Sequence, residues 1–182
     1  MKELYLVRHA KSSWKSKAVS DFERPLNKRG KRDAPFMAKL IREQKIKPDL
    51  IISSPSNRAL TTAKIFSEQM GYPFEDLLLE TKLYEASSSE ILEVLRNINS
   101  TIDSVMIFAH NPGLTDLANF LSNDRFENIP TCGIVSLHFD DDLVVAGRLP
   151  ASIPGDLLTR ARVAAVLDGH PQMTADGHHN VL

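Results

Sequence analysis

Apolar residues along this chain form short runs that alternate with stripes at helical spacing. Runs with little polar content occupy residues 4–7, 49–52 and 105–109, and such runs are typical of strands buried on both faces of a parallel sheet. A less regular alternation over residues 134–139 predicts a further strand. The chain should therefore contain a sheet whose strands are far apart in sequence.

Four apolar stripes lie between or beside these runs and have the spacing of amphipathic helices. Their members are Ala34, Met37, Ala38 and Ile41; Ala59, Leu60, Ala63 and Phe66; Ile91, Leu95 and Ile98; and Leu114, Leu117, Ala118 and Leu121. Strands that alternate with helices predict an α/β domain with a mainly parallel sheet. Pro35 should either kink the first helix or begin it, and residues 157–167 are expected to form a last helix.

Composition narrows the class of protein. The chain has 182 residues, of which 42% are hydrophobic and 25% charged, as in a globular domain. The single cysteine, Cys132, excludes an internal disulfide and a cysteine-rich zinc site. No apolar run approaches the roughly 20 residues of a membrane span, and the run at 4–7 is too short for a signal peptide. We therefore expect a cytoplasmic protein without a membrane partner.

The net charge of −1 conceals an asymmetry between the two halves. Residues 1–82 hold 17 basic and 10 acidic residues, whereas residues 83–182 hold 5 and 13. A basic half indicates an anionic partner, although many of these charges would equally suit solvated helix faces. We expect no nucleic-acid partner.

Basic side chains follow three of the predicted strands. Arg8 and His9 come directly after the first run, residues 53–58 with Arg58 after the second, and His110 after the third. Ligands of parallel α/β sheets bind at the carboxyl ends of the strands, where helix N-termini also favour anions. Arg58 would oppose the helix dipole unless an anion lay nearby. The sequence therefore predicts a pocket for a phosphate-sized dianion.

Five segments together resemble one enzyme family. They are residues 8–14, 21–30, 54–63, 110–114 and 130–133, which read RHAKSSW, DFERPLNKRG, SPSNRALTTA, HNPGL and PTCG. This combination resembles the histidine phosphatase superfamily, the phosphoglycerate-mutase-like proteins, and within it the phosphohistidine phosphatases of the SixA type. The resemblance spans residues 3–139. It implies a three-layer α/β/α sandwich with a mainly parallel central sheet, and we expect this domain to span residues 1–150. Residues 151–182 depart from the family pattern and lack periodicity near the end, so we expect an atypical, disordered tail there.

Chemistry and resemblance agree on the catalytic roles. His9 would attack phosphorus as a neutral imidazole and form a phosphohistidine intermediate. Arg8, Arg58 and His110 would bind the equatorial oxygens, with His110 protonated because a nearby dianion raises its pKa. Four positive groups make a metal unnecessary, so we expect no metal and no cofactor, although the two histidines with Glu85 could in principle hold zinc.

Several further residues have two interpretations each. Glu85 is either the general acid, as in related phosphomonoesterases and mutases, or an ordinary exposed residue. Arg24 either reaches the phosphate or pairs with Asp21 or Glu23. Asn111 either orients His110 or caps a helix, and Trp14 either walls the pocket or anchors a loop.

The interpretation that we favour is a phosphatase that removes phosphate from histidine on a phosphoprotein. The first alternative is a phosphomonoesterase or mutase that acts on small phosphomonoesters with the same site. The second is a non-catalytic module that binds phosphate. The oligomeric state and the physiological substrate do not follow from the sequence.

Overall fold

The computed structural model describes residues 3–14, 19–122, 124–139 and the backbone of 162–167. Its elements, in chain order, are β1 (Glu3–Arg8), α1 (Lys28–Glu43), β2 (Leu50–Ser53), α2 (Asn57–Met70), β3 (Leu78–Leu79), α3 (Ser88–Arg96), β4 (Ser104–Ala109), α4 (Gly113–Leu121), β5 (Ile134–His138) and β6 (Arg162–Leu167). Two short 3-10 helices, Phe74–Asp76 and Thr81–Leu83, flank β3. No helix in these ranges has the length and apolar content that crossing a bilayer requires.

The six strands form one mixed sheet in the order β3-β2-β4-β1-β5-β6. The pairs β2–β3, β2–β4 and β1–β4 are parallel, whereas β1–β5 and β5–β6 are antiparallel. In the β1–β4 pair, Arg8 lies opposite Ala109. The residues that follow these two strands, His9 and His110, therefore leave the same edge of the sheet.

Two apolar cores lie on opposite faces of the sheet. Alternate residues of β1 point to opposite faces, so Leu4 and Leu6 join one core and Tyr5 and Val7 the other. The first core includes the stripes of α3 and α4, and the second includes those of α1 and α2. This arrangement confirms the predicted three-layer α/β/α sandwich.

Helix boundaries follow local capping chemistry. The Asn27 side chain accepts a hydrogen bond from the Gly30 amide, so α1 begins at Lys28 and Pro35 lies inside it rather than at its start. Ser87 and Glu90 form the capping box at the start of α3 that their spacing predicts.

The predicted C-terminal helix is wrong where the structure can test it. Residues 162–167 form β6 instead, which pairs with β5 at the edge of the sheet. Part of the predicted tail therefore belongs to the sheet. Residues 140–161 and 168–182 lie outside the described residues, so the boundary at 150/151 stays a prediction.

Candidate active site

The structure brings four of the predicted site residues to one edge of the sheet. Arg8 ends β1, His9 follows it, His110 follows β4, and Arg58 lies in the first turn of α2. The ring centroids of His9 and His110 are 5.0 Å apart. Burial leaves His9, Arg58 and His110 only 8%, 3% and 4% exposed.

Backbone hydrogen bonds hold the Arg8–His9 dipeptide in place. The Arg8 amide donates to the Gly133 carbonyl at 3.1 Å, and the Cys132 amide lies 3.1 Å from the Arg8 carbonyl and 3.2 Å from that of His9. The sequence segment 130–133 therefore acts as a backbone support for the dipeptide. Cys132 is buried, and burial raises the pKa of its thiol to about 12.

His9 presents an unprotonated nitrogen to the site. Its Nδ1 lies 2.8 Å from the Ala10 carbonyl, an acceptor only, so Nδ1 carries the proton. The other nitrogen, Nε2, accepts a hydrogen bond from Arg58 Nε at 3.2 Å. The pKa of His9 is lowered to about 4, mainly by burial and also by the charges of Arg58 and Arg8. The ring is therefore neutral at pH 7, with its Nε2 lone pair accepting the hydrogen bond from Arg58.

Burial also disfavours the charged form of His110, whose pKa is lowered to about 3, mainly by burial and also by the neighbouring His9 and Arg58. The expectation that a nearby dianion raises this pKa and protonates the ring stays a prediction. His110 Nε2 lies 3.0 Å from Ser54 Oγ and 3.3 Å from Ser56 Oγ. If these hydroxyls donate, the proton stays on Nδ1, which is buried and has no hydrogen-bond acceptor among the described residues. Such an N–H group would suit an oxyanion without any charge on the ring.

Arg8 shares its acceptors with Asn111. Arg8 Nη1 donates to Asn128 Oδ1 at 3.1 Å and to the Ile129 carbonyl at 2.7 Å. Asn111 Nδ2 donates to the same two oxygens at 2.9 and 3.0 Å. Asn111 therefore neither orients His110 nor caps α4, because its side chain binds the loop that holds Arg8. Arg8 Nε is buried and makes no hydrogen bond within the described part of the chain.

Arg24 pairs with Asp21, one of its two predicted partners, and a contact with phosphate stays a prediction. Its Nε lies 3.3 Å from Asp21 Oδ1 as an ion pair, and its Nη2 donates to Ser12 Oγ at 2.7 Å. Its charge also lowers the pKa of His9, although burial of the imidazole has the larger effect. Arg24 Nη1 is buried without an acceptor in the described ranges. The exposed Trp14 ring covers the guanidinium, with Cζ 3.4 Å from the ring centroid.

Two residues of the site were not predicted from the sequence. Asp21 was considered only as a partner of Arg24, yet its carboxylate also accepts from Arg58 Nη2 at 2.8 Å. Tyr84 donates its hydroxyl to Asp21 Oδ2 at 2.9 Å, and its ring stands edge-on to His110 at 5.6 Å between centroids. Asp21 could have been found from its place in the DFERPL segment, whereas no sequence signal marks Tyr84.

Glu85 lies outside the buried group. It is exposed, has a left-handed backbone with φ of 52°, and acts electrostatically on Arg24 and Tyr84. Its carboxylate is therefore near the site without being enclosed in it. Among the described residues, no group of three or more His, Cys, Asp or Glu side chains is arranged to hold a metal ion.

Residues 4–112 match the family model of the histidine phosphatase superfamily (branch 1). This chain belongs to that superfamily. An uncharacterized chloroplastic protein of Arabidopsis thaliana is 31% identical over 144 residues, which are 75% of this chain and 66% of that protein. The chain thus spans about two thirds of that relative's length. The predicted family membership is confirmed.

Solved structures of SixA proteins share the fold. SixA from Agrobacterium tumefaciens is 24% identical with a TM-score of 0.75, over 92% of this chain and 97% of that one. The protein histidine phosphatase SixA complexed with tungstate is 18% identical with a TM-score of 0.73, over the same shares of the two chains. The sequence-predicted phosphoglycerate-mutase-like architecture of this superfamily member is therefore confirmed.

Proposed function

We propose that this superfamily member is a phosphatase that removes the phosphoryl group from phosphohistidine on a protein, with His9 as the nucleophile. The observation that carries the proposal is the state of His9, whose buried Nε2 is unprotonated and accepts a hydrogen bond from Arg58 Nε at 3.2 Å. A neutral imidazole surrounded by fixed positive charge suits attack on a phosphoryl dianion.

The reaction would proceed in two displacements. His9 Nε2 attacks phosphorus, and the bond from phosphorus to the substrate imidazole nitrogen breaks. That nitrogen keeps the electron pair of the bond and takes up a proton from solvent, so the imidazole leaves as a neutral molecule. Water then attacks the phosphorus of phospho-His9, the bond to Nε2 breaks, and the water proton passes to the released phosphate or to solvent. Both transition states spread negative charge over the equatorial oxygens.

Three residues close enough to act on His9 each have a buried nitrogen without a hydrogen-bond partner in the described ranges. Arg8 Nε, Arg24 Nη1 and His110 Nδ1 are buried and donate to nothing in the described part of the chain. Buried polar atoms in proteins normally have partners, so three such donors near one nucleophile support an oxyanion as their partner. The arginine charges also make a divalent metal unnecessary, so activity should survive treatment with EDTA.

The acid groups of the site favour phosphohistidine over a phosphomonoester. An alkoxide leaving group needs a proton donor, whereas the nitrogen of phosphohistidine protonates readily. Burial raises the pKa of Asp21, but Tyr84 and Arg58 lower it more, so this carboxylate is ionised. Glu85, the other candidate, is exposed. In addition, the segment between Glu85 and β4 holds only α3, with no further helix or strand that could cover a metabolite.

Turnover of a histidine-phosphorylated protein beside a panel of sugar phosphates and p-nitrophenyl phosphate tests the proposal. We expect the phosphohistidine protein to have the highest kcat/KM. Faster turnover of a sugar phosphate would favour the small-molecule phosphomonoesterase or mutase. Absence of turnover with every substrate, together with phosphate binding, would favour the non-catalytic module.

A further inference from the structure

Asp21 holds the end of the Arg58 guanidinium. Arg58 Nη1 donates to the Asp21 backbone carbonyl, and Arg58 Nη2 donates to Asp21 Oδ2 at 2.8 Å. Both terminal nitrogens of the arginine are thus bound by one residue. The guanidinium is planar and rigid, so these two bonds also decide where the third nitrogen points. That nitrogen, Nε, faces His9 Nε2 at 3.2 Å.

The carboxylate of Asp21 is itself held by neighbours. Tyr84 donates its hydroxyl to Oδ2 at 2.9 Å, and Arg24 Nε lies 3.3 Å from Oδ1. The Tyr84 ring packs edge-on against Phe22 at 5.1 Å between centroids. A chain of contacts therefore runs from Tyr84 through Asp21 and Arg58 to the nucleophile.

The segment that carries Tyr84 is packed tightly against the start of α4. A Cβ atom at Gly113 would overlap the Ala86 carbonyl, so only glycine permits this approach. Because α4 begins three residues after His110, this close approach places the segment of Tyr84 beside the loop that carries His110. The Tyr84 ring accordingly stands 5.6 Å from that of His110, between centroids.

We propose that Asp21, steadied by Tyr84, is the positioning residue that orients Arg58 so that its Nε edge faces the phosphoryl group on His9. The inference rests on the proposed phosphatase function. Asp21 does not bind phosphate, because a carboxylate repels a dianion. Its contribution is that the guanidinium is already oriented when charge develops in the transition state, so no reorganisation is needed.

The same contacts allow two other roles, which predict different results. Asp21 could compete with phosphate for Arg58, in which case removing its charge would tighten phosphate binding. Asp21 could also transfer a proton itself, in which case removing its carboxylate would lower activity equally with and without Arg58. If Asp21 positions Arg58, substitution of Asp21 weakens the binding of a transition-state mimic, and it does so only while Arg58 is present.

The test compares Asp21→Asn with Glu23→Gln, which removes a carboxylate from the same turn. Glu23 is exposed and accepts from Ser20 rather than from Arg58. We expect Asp21→Asn to lower kcat/KM for p-nitrophenyl phosphate and to weaken vanadate inhibition, both by roughly 10- to 100-fold. Glu23→Gln should leave both within about twofold of wild type. Tyr84→Phe keeps the ring and removes only the hydroxyl, so its loss should be smaller, on the order of tenfold.

A double-mutant cycle with Arg58→Ala decides between positioning and proton transfer. We expect Asp21→Asn to cause no further loss of kcat/KM in the Arg58→Ala background. Three results would overturn the inference in a chain whose wild type is active. The first is that the losses of kcat/KM from Asp21→Asn and Arg58→Ala multiply in the double variant. The others are that Asp21→Asn binds phosphate more tightly than the wild type, or is inhibited by vanadate as strongly. A wild type that neither hydrolyses phosphohistidine or p-nitrophenyl phosphate nor binds vanadate would overturn the proposed function, and this inference with it.

Discussion

Arg58 Nε donates a hydrogen bond to His9 Nε2 across 3.2 Å, although the two residues are 49 positions apart in the chain. One buried cation thus contacts the nitrogen that we assign as nucleophile and keeps that nitrogen unprotonated. His110, whose ring lies 5.0 Å from that of His9, is neutral as well but has its Nε2 engaged by two serines. The two histidines are therefore close in space and different in chemical environment, which leads to separate predictions.

The first prediction concerns which histidine carries the phosphoryl group. Acid-labile, base-stable label from a ³²P-labelled substrate should be trapped on the wild type and be lost in His9→Ala. In His110→Ala the label should still form, but roughly 10²- to 10³-fold more slowly, because one donor to the oxyanion is lost. Rapid quench followed by alkaline gel electrophoresis measures both. Label that persists in His9→Ala and is missing from His110→Ala would reverse the assignment.

The serine hydroxyls beside His110 should affect catalysis because they determine which nitrogen of its imidazole carries the proton. Ser54→Ala removes the shorter of the two contacts to His110 Nε2, and the Ser54→Ala/Ser56→Ala double variant removes both. We expect kcat/KM to fall about tenfold in the first and further in the second, because the Nδ1–H tautomer is no longer favoured. Ser67→Ala, a buried serine of α2 that bonds the Ala63 carbonyl, is the control. Equal activity of the double variant and the control would exclude this role.

Glu85→Gln should separate two classes of substrate. If Glu85 donates a proton to an alkoxide, its loss should slow hydrolysis of an alkyl phosphate such as glycerol phosphate by roughly 10²- to 10⁴-fold. Turnover of a phosphohistidine protein should fall far less, because its leaving nitrogen needs no such donor. Glu93→Gln, exposed and paired with Lys82, controls for loss of a surface charge. Equal losses on both substrates would show that Glu85 has another role.

Stability should decrease as the pH falls below the pKa of an unfolded histidine. The pKa of His9 is lowered by burial to about 4 and that of His110 to about 3. Between these values and about pH 6.5 the unfolded chain binds more protons than the folded one, so the free energy of unfolding rises with pH there. Going from pH 6.5 to 5 should cost about 2 kcal/mol for each buried histidine.

Urea unfolding at pH 7 and pH 5 measures this dependence. In His110→Gln, one of the two groups is gone, so stability should change less between the two pH values than in the wild type. Ser67→Ala leaves every histidine in place, and it should keep the wild-type pH dependence. A wild type equally stable at pH 5 and pH 7 would contradict the prediction.

Strand β6 should be required for a stable sheet. A chain that ends at residue 156 lacks β6, so β5 becomes an edge strand with unpaired backbone groups. We expect this variant to have a lower unfolding midpoint and to aggregate, whereas a chain that ends at residue 167 keeps β6 and should retain activity and solubility. Thermal unfolding and size-exclusion chromatography compare the two. A soluble chain of 156 residues with wild-type stability would show that β6 is dispensable.

The local pattern of the sequence determined most of the core of this fold. Buried runs at 4–7, 49–52 and 105–109 became β1, β2 and β4, and the four apolar stripes lie on α1 to α4, except that Ile98 follows the end of α3. Periodicity works here because each of these segments buries a whole face against the sheet. Ligands bind at the carboxyl ends of parallel strands. The sequence alone therefore predicted that Arg8, His9, Arg58 and His110 lie together at one edge of the sheet.

Tertiary structure alone decided the features that depend on distant partners. Residues 162–167 form a strand because the edge of β5 offers backbone hydrogen bonds to it, and no local pattern reveals that edge. Tyr84 donates a hydrogen bond to Asp21 across 63 positions of sequence, so neither residue can be predicted as a partner of the other from local sequence. The charge of His110 depends on burial by many side chains and on nearby cations, which only the folded chain assembles. The sequence thus identifies most residues of the site, whereas their protonation and mutual orientation depend on the packing around them.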